Sequence, residues 1–289
     1  MSIAELIVSA VPRSTRLDTK RAIQAEKYLQ AFGYLEGIKN PKKELTSRVK
    51  KAQRMLGVID DGKIGEVTLK AMRMAPRCGV RDVVRQQKRI NKWANSKFRN
   101  LTYFVNRFVT GLSESTQIAL LEQAWQSWEN VCGLKISRVN SPTADIIIDA
   151  SASREEEFGE AGNVLAWAYL PQGSNHTRQL LMKFDLAETW IDDVTNRGIL
   201  FLNVATHEFG HLAGLEHTTI RGELMYAMYD TFVNSPQIRF DIPQSVLRYG
   251  EPIIEPPPPP PPPPPPEDGP TVEGVIKING YSYELQRVV

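Results

Sequence analysis

The chain has 289 residues, 42% of them hydrophobic, and a formal net charge of +2. That gives room for one medium domain and a small one, and the near-neutral charge excludes the electrostatic footprint of a nucleic-acid-binding protein. Two cysteines, Cys78 and Cys132, exclude a disulfide framework, and no stretch reaches the length of a membrane-spanning helix.

In chain order, Met1 to Val11 carries an apolar patch at Leu6–Val11 with Glu5 before it and no preceding Lys or Arg. That is a poor secretory signal. From Thr19 to Met74, apolar residues recur at helical spacing with basic outer faces, as in Tyr28–Phe32 and Val49–Leu56. The pattern predicts a three-helix bundle, with Asp60-Asp61-Gly62 marking the turn before the third helix. Pro76-Arg77-Cys78-Gly79-Val80-Arg81-Asp82 follows, then a basic segment containing Lys88-Arg89. An exposed polar linker is where proteases cut, and a solvated basic linker fits those residues equally well.

Thr116–Val131 places aliphatic residues, Trp125 and Trp128 at helical spacing, and Ala144–Asp149 reads as a buried strand. Cys132 reads as a buried, unpaired thiol. Eleven consecutive prolines, Pro256–Pro266, predict a polyproline II rod of roughly 34 Å. Val275–Leu285 with Asn279-Gly280 at its centre predicts a hairpin, which alone is marginal in water. A spacer with a partner-binding tail is the expectation; a ligand for a proline-recognition module is the alternative.

The chemistry concentrates in His207-Glu208-Phe209-Gly210-His211-Leu212-Ala213-Gly214-Leu215-Glu216-His217. His207 and His211 stand one turn apart on a helix and so share a face. Gly214 can take the left-handed conformation that ends the helix and turns the chain back, bringing His217 in as a third ligand. Three imidazoles and an adjacent carboxylate describe a hydrolytic zinc site with one open position, not a closed structural one. Downstream, Met225 in Glu223-Leu224-Met225-Tyr226 is either ordinary core or an apolar floor beneath the ligands.

With Thr218 after the third histidine and Leu-Met-Tyr at 224–226, the chain resembles the matrixins, the matrix metalloproteinase family. The segment Pro76–Asp82 is similar to the family's propeptide switch, with Arg81 where proline is usual. The resemblance implies an α+β fold: a zincin-like (metzincin) catalytic domain with a twisted, mostly parallel sheet and long helices, behind a small three-helix prodomain. It divides the chain into an N-terminal segment (1–18), a peptidoglycan-binding-like prodomain ending in the cysteine switch (19–82), an activation linker (83–99) and a catalytic domain (100–250). A proline-rich hinge (251–270) and a hairpin tail (271–289) follow, with no propeller domain. It further implies that Cys78 holds the zinc in a latent form until an activating protease removes the prodomain, that Met225 forms the Met-turn, and that Leu165 and Ala166 lie on a substrate-binding edge strand within Gly162–Leu170. Tyr229 falls in the loop lining the pocket beside the zinc, where Ala227 replaces the usual proline.

Two departures concern other metals. Trp167 and Lys183 occupy two positions where the family places ligands of a second, structural zinc, so that site is expected to be absent, and His176 is expected to be a solvated loop residue. Asp185 and Glu188 match a calcium-binding segment; Gly159 replaces a neighbouring aspartate, and a helix N-terminal acidic turn or solvated surface is the other reading of the pair. The resemblance implies export, which the poor signal does not provide; an unconventional route, or an intracellular or virus-encoded origin, stays open. The expected function is a latent zinc endopeptidase acting on extracellular-matrix-type proteins. The alternatives are another metzincin branch, a non-catalytic zinc protein that binds partners through its bundle and proline tail, and an independent glycan-binding role for residues 19–74.

Overall fold

The computed structural model describes residues 2–10, 19–83, 90–151, 158, 161–253, 275–278 and 281–284. The readings made of Lys88-Arg89, Gly159, the proline run and Asn279-Gly280 lie outside these residues. No helix among those described is long and apolar enough to cross a membrane.

The bundle consists of α1 (Ile3–Ala10), α2 (Thr19–Ala31), α3 (Pro41–Met55) and α4 (Glu66–Met74). Pro41 opens α3, where its missing N–H would have no helical partner anyway, and Glu44 accepts from the Asn40 N–H at 2.8 Å. Buried Gln53 ties the α3–α4 connection: its amide donates to the Lys63 carbonyl and Asp61, and its carbonyl accepts from Gly62 N. The sequence reading set residues 1–18 apart from three helices. In the structure Ala4 and Ile7, one turn apart on α1, are buried in the same apolar cluster as Leu29, Val49 and Met72. Burying a side chain such as Ile7 stabilises the bundle by about 1.5–3 kcal/mol.

The second part is built on a six-stranded sheet in the order β1-β5-β6-β4-β2-β3. Its strands are β1 (Arg77–Cys78), β2 (Leu101–Val105), β3 (Ile136–Arg138), β4 (Ile146–Ser151), β5 (Val164–Ala168) and β6 (Leu180–Asp185). The β2–β3, β2–β4 and β4–β6 pairs are parallel and β5 runs antiparallel to β6, matching the expected mostly parallel sheet. β1 is added outside β5, in parallel. The short parallel pair β7 (Trp190–Ile191) and β8 (Ile199–Leu200) leads into α6 (Phe201–Leu212).

Beneath α6 lies α5 (Glu114–Glu129), started by Ser113, whose hydroxyl accepts from Thr116 N at 3.1 Å, as an N-cap should. Leu121, Ala124, Trp125 and Trp128 form its buried stripe. Trp125 stacks on Phe209 of α6 with centroids 3.6 Å apart, and Trp128 Nε1 donates to the Thr206 carbonyl at 2.8 Å. Cys132 is fully buried and unpaired, as expected. α7 (Asp241–Tyr249) closes the core, Tyr249 donating to the Ala213 carbonyl at 2.8 Å.

His176 corrects the sequence reading: it is 6% exposed rather than solvated. Its ring meets Trp93 edge-on at 5.0 Å, its backbone pairs with Lys92 and Ala94, and Nδ1 accepts from Gln172 N. Residues far upstream in the chain supply that cover, so the local loop composition did not betray it. Where the family would place two ligands of a second zinc, Trp167 and Lys183 sit opposite each other on β5 and β6, the ammonium 5.6 Å from the indole centroid. The tail forms a separate compact unit, in which β9 (Val275–Ile278) and β10 (Tyr281–Glu284) pair antiparallel.

Candidate metal centre

α6 carries His207 and His211 on one face, and the chain reverses at Gly214, whose φ is +86°. Leu215 N then donates back to the Gly210 carbonyl. A side chain at position 214 would be strained, and its Cβ would also stand 2.2 Å from the Asn91 carbonyl oxygen. The reversal delivers His217 to the other two: its Nε2 is 3.3 Å from that of His207 and 3.1 Å from that of His211. Cys78 Sγ lies 3.4 Å from His211 Nε2. The four candidate ligand atoms, from Cys78, His207, His211 and His217, all fall within 4.8 Å of one another.

The hydrogen bonds fix the tautomers. Nδ1 of His207 faces the Leu224 carbonyl at 2.6 Å and Nδ1 of His211 faces the Leu215 carbonyl at 2.8 Å, so each carries its proton there and turns a bare Nε2 inward. Nδ1 of His217 faces Asp82 Oδ1 at 2.9 Å. Burial lowers the pKa of all three, that of His207 to about 3, so the imidazoles are neutral. Three lone pairs converging at such distances repel one another unless a cation lies between them. Tetrahedral zinc with bonds of about 2.0–2.1 Å sets its nitrogen ligands about 3.3 Å apart. The donor set and its spacing therefore fit zinc.

Glu208 is 0% exposed, and among the described residues no N–H or O–H group donates to either carboxylate oxygen; the one neighbour able to do so is the Cys78 thiol. Burial pushes its pKa up to about 8, opposed by the nearby Cys78 thiol. A buried carboxylate with no N–H or O–H donor is costly. The Cys78 thiol is itself pushed up by burial and then by the Glu208 charge; a cation beside it would reverse that.

Met225 is fully buried beneath α6. A Cβ at Gly210 would stand 2.2 Å from Met225 Sδ and 2.8 Å from Trp128 Cζ2, so the glycine between the two histidines admits the methionine. The Met225 and Leu224 amides donate to Asp241, and Thr218 N donates to the Met225 carbonyl. Sequence reasoning passed over Asp241; an aspartate in the first turn of a helix was its only local signal.

The three substrate-binding positions read from the sequence lie together, and the switch segment occupies them. Gly79 N donates to the Ala166 carbonyl, Cys78 N to the Ala227 carbonyl, and Tyr229 N to the Pro76 carbonyl, each at 2.8–2.9 Å. Leu165 and Tyr229 line a cavity of about 30 Å³ beside His207 and Glu208, together with Val204 and Val233. Arg77, fully buried, lies over the Phe32 ring at 3.4 Å and bonds Tyr28 and Asp82. Arg81, where the family has proline, pairs with Glu36 of the bundle.

Asp185 and Glu188 are buried, which removes the reading as solvated surface, and they lie at the end of β6 and in the turn after it, not at a helix N-terminus. Asp185 accepts from Ala187 N within the turn after β6, and Glu188 ties that turn to the approach to β5 by accepting from Gly162 N.

A matrixin family model matches residues 92–245. A second model, "Putative peptidoglycan binding domain", matches residues 19–72. Among curated proteins, matrix metalloproteinase-18 of Xenopus laevis is 32% identical over 235 residues, 76% of this chain and 47% of that protein. Stromelysin-1 of Mus musculus is 32% identical over 249 residues, 80% of this chain and 50% of that protein. Matrilysin of Mus musculus is 32% identical over 216 residues, 71% and 77% respectively. The chain thus spans about half the length of the first two relatives. It belongs to the matrixin family.

Proposed function

We propose that the chain is a latent zinc-dependent endopeptidase. His207, His211 and His217 hold the metal through neutral Nε2 atoms, and Cys78 takes the fourth position in the latent form. When bound there, zinc supplies Lewis acidity to the attacking water and the scissile carbonyl. Glu208 acts as general base, accepting a proton from that water and passing it to the leaving nitrogen.

Substrate is held as an extended peptide against the β5 edge, using the Ala166 carbonyl and the Tyr229 amide, with a side chain in the pocket lined by Leu165 and Tyr229. Met225 packs under the ligands and has no chemical duty. The substrates are proteins, of the extracellular-matrix type that family membership suggests. Asp185 and Glu188 contribute to one calcium site that ties β5 to β6.

The observation that carries the reading is β1. Cys78 lies 3.4 Å from a ligand nitrogen, on a strand bonded on both sides to the groove where substrate would lie. The full-length protein should contain one zinc and cleave a quenched collagen-like peptide poorly. Limited proteolysis within residues 83–99, or Cys78→Ser, should unmask the activity. Zinc without cleavage in any form would favour a non-catalytic binding protein.

A further inference from the structure

His207 and His211 each rest Nδ1 on a carbonyl from the same catalytic domain, Leu224 and Leu215. His217 does not. Its Nδ1 partner is Asp82, 135 positions upstream and four residues past the switch cysteine, and both side chains are buried. Asp82 is itself held from three directions: Oδ1 by Arg77 and His217, Oδ2 by Tyr34 of the bundle at 2.6 Å.

A carboxylate on the far nitrogen of a ligand imidazole fixes the tautomer, orients the ring and raises the basicity of the ligating nitrogen. We propose that Asp82 is a positioning residue for the third zinc ligand, so that the prodomain tightens the metal site it blocks. Release of the prodomain then removes the outer partner of one histidine of three, and the active enzyme holds its zinc more loosely than the zymogen. This rests on the zinc reading above.

Cys78, as a fourth ligand, would mask the effect, so the test uses the full-length Cys78→Ser chain. Zinc content is measured first, then the rate of zinc loss to a chromogenic chelator. Adding Asp82→Asn should speed loss by roughly tenfold or more, the usual scale for losing an outer-shell partner. Adding Tyr34→Phe instead removes the other hydrogen bond to the same carboxylate but keeps its contact with His217, and should speed loss far less than Asp82→Asn does. In imidazole ¹H–¹⁵N spectra, the His217 Nδ1–H signal should be the most deshielded of the three and should shift in Asp82→Asn alone. Rates equal within about a factor of two with and without Asp82→Asn would overturn the inference. So would equal acceleration by Tyr34→Phe, which would trace the effect to loosened docking. A parent protein that carries no zinc would remove the metal reading itself.

Discussion

The two apolar clusters of the N-terminal unit differ in ownership. The larger one, around Trp125, Trp128, Phe209 and Met225, is drawn wholly from residues 93–249. The smaller one joins bundle residues such as Leu29 and Tyr34 to Val164, Tyr226 and Ala227, which flank the metal site. Tyr226 also donates its hydroxyl to the Met55 carbonyl. The larger cluster takes no residue from the bundle, whereas the smaller one is completed by side chains from beyond it. On the proposed latent-protease reading, such an arrangement would let the bundle leave without disturbing the larger cluster.

That contrast can be broken at several points. The largest effect is expected from Glu208→Gln, which should lower kcat/KM of the activated enzyme by about 10²–10⁴-fold with zinc content unchanged, measured on the quenched peptide. Arg77→Met should follow, because it leaves Asp82 buried without its cation; losing one partner of a buried pair costs about 3–5 kcal/mol. The loss should read out as activity before trimming, while the trimmed enzyme is unaffected.

Gly210→Ala acts on the other cluster. Its Cβ meets Met225 Sδ and Trp128, and overpacking of this kind costs about 1–3 kcal/mol. Thermal melting should show the loss in zymogen and trimmed enzyme alike. Tyr226→Phe removes one hydrogen bond within the smaller cluster, from Tyr226 to Met55 of the bundle, worth about 1 kcal/mol, and should raise untrimmed activity several-fold at most. The smallest expected change is a modest rise in melting temperature with added calcium, reduced in Asp185→Asn.

The candidate metal centre was legible because its geometry is local. Helical spacing aligns His207 with His211, and Gly214 at φ +86° turns His217 inward, all within eleven residues. Cys78 was legible only through its flanks. What escaped was set by contacts between distant segments: the cover of His176 by Trp93, the grip of Asp82 on His217, and the burial of Ala4 and Ile7 against α2–α4. A polar loop and a short apolar N-terminus carry no periodicity that reports such partners.

The most direct test of the central claim is activity of the Cys78→Ser chain against the parent, both full-length and both assayed for zinc. One zinc in each, with cleavage of the quenched peptide by Cys78→Ser and little by the parent until it is trimmed, is the predicted result. Equal activity of the two untrimmed proteins, or zinc-loaded protein inert in every form, would contradict it.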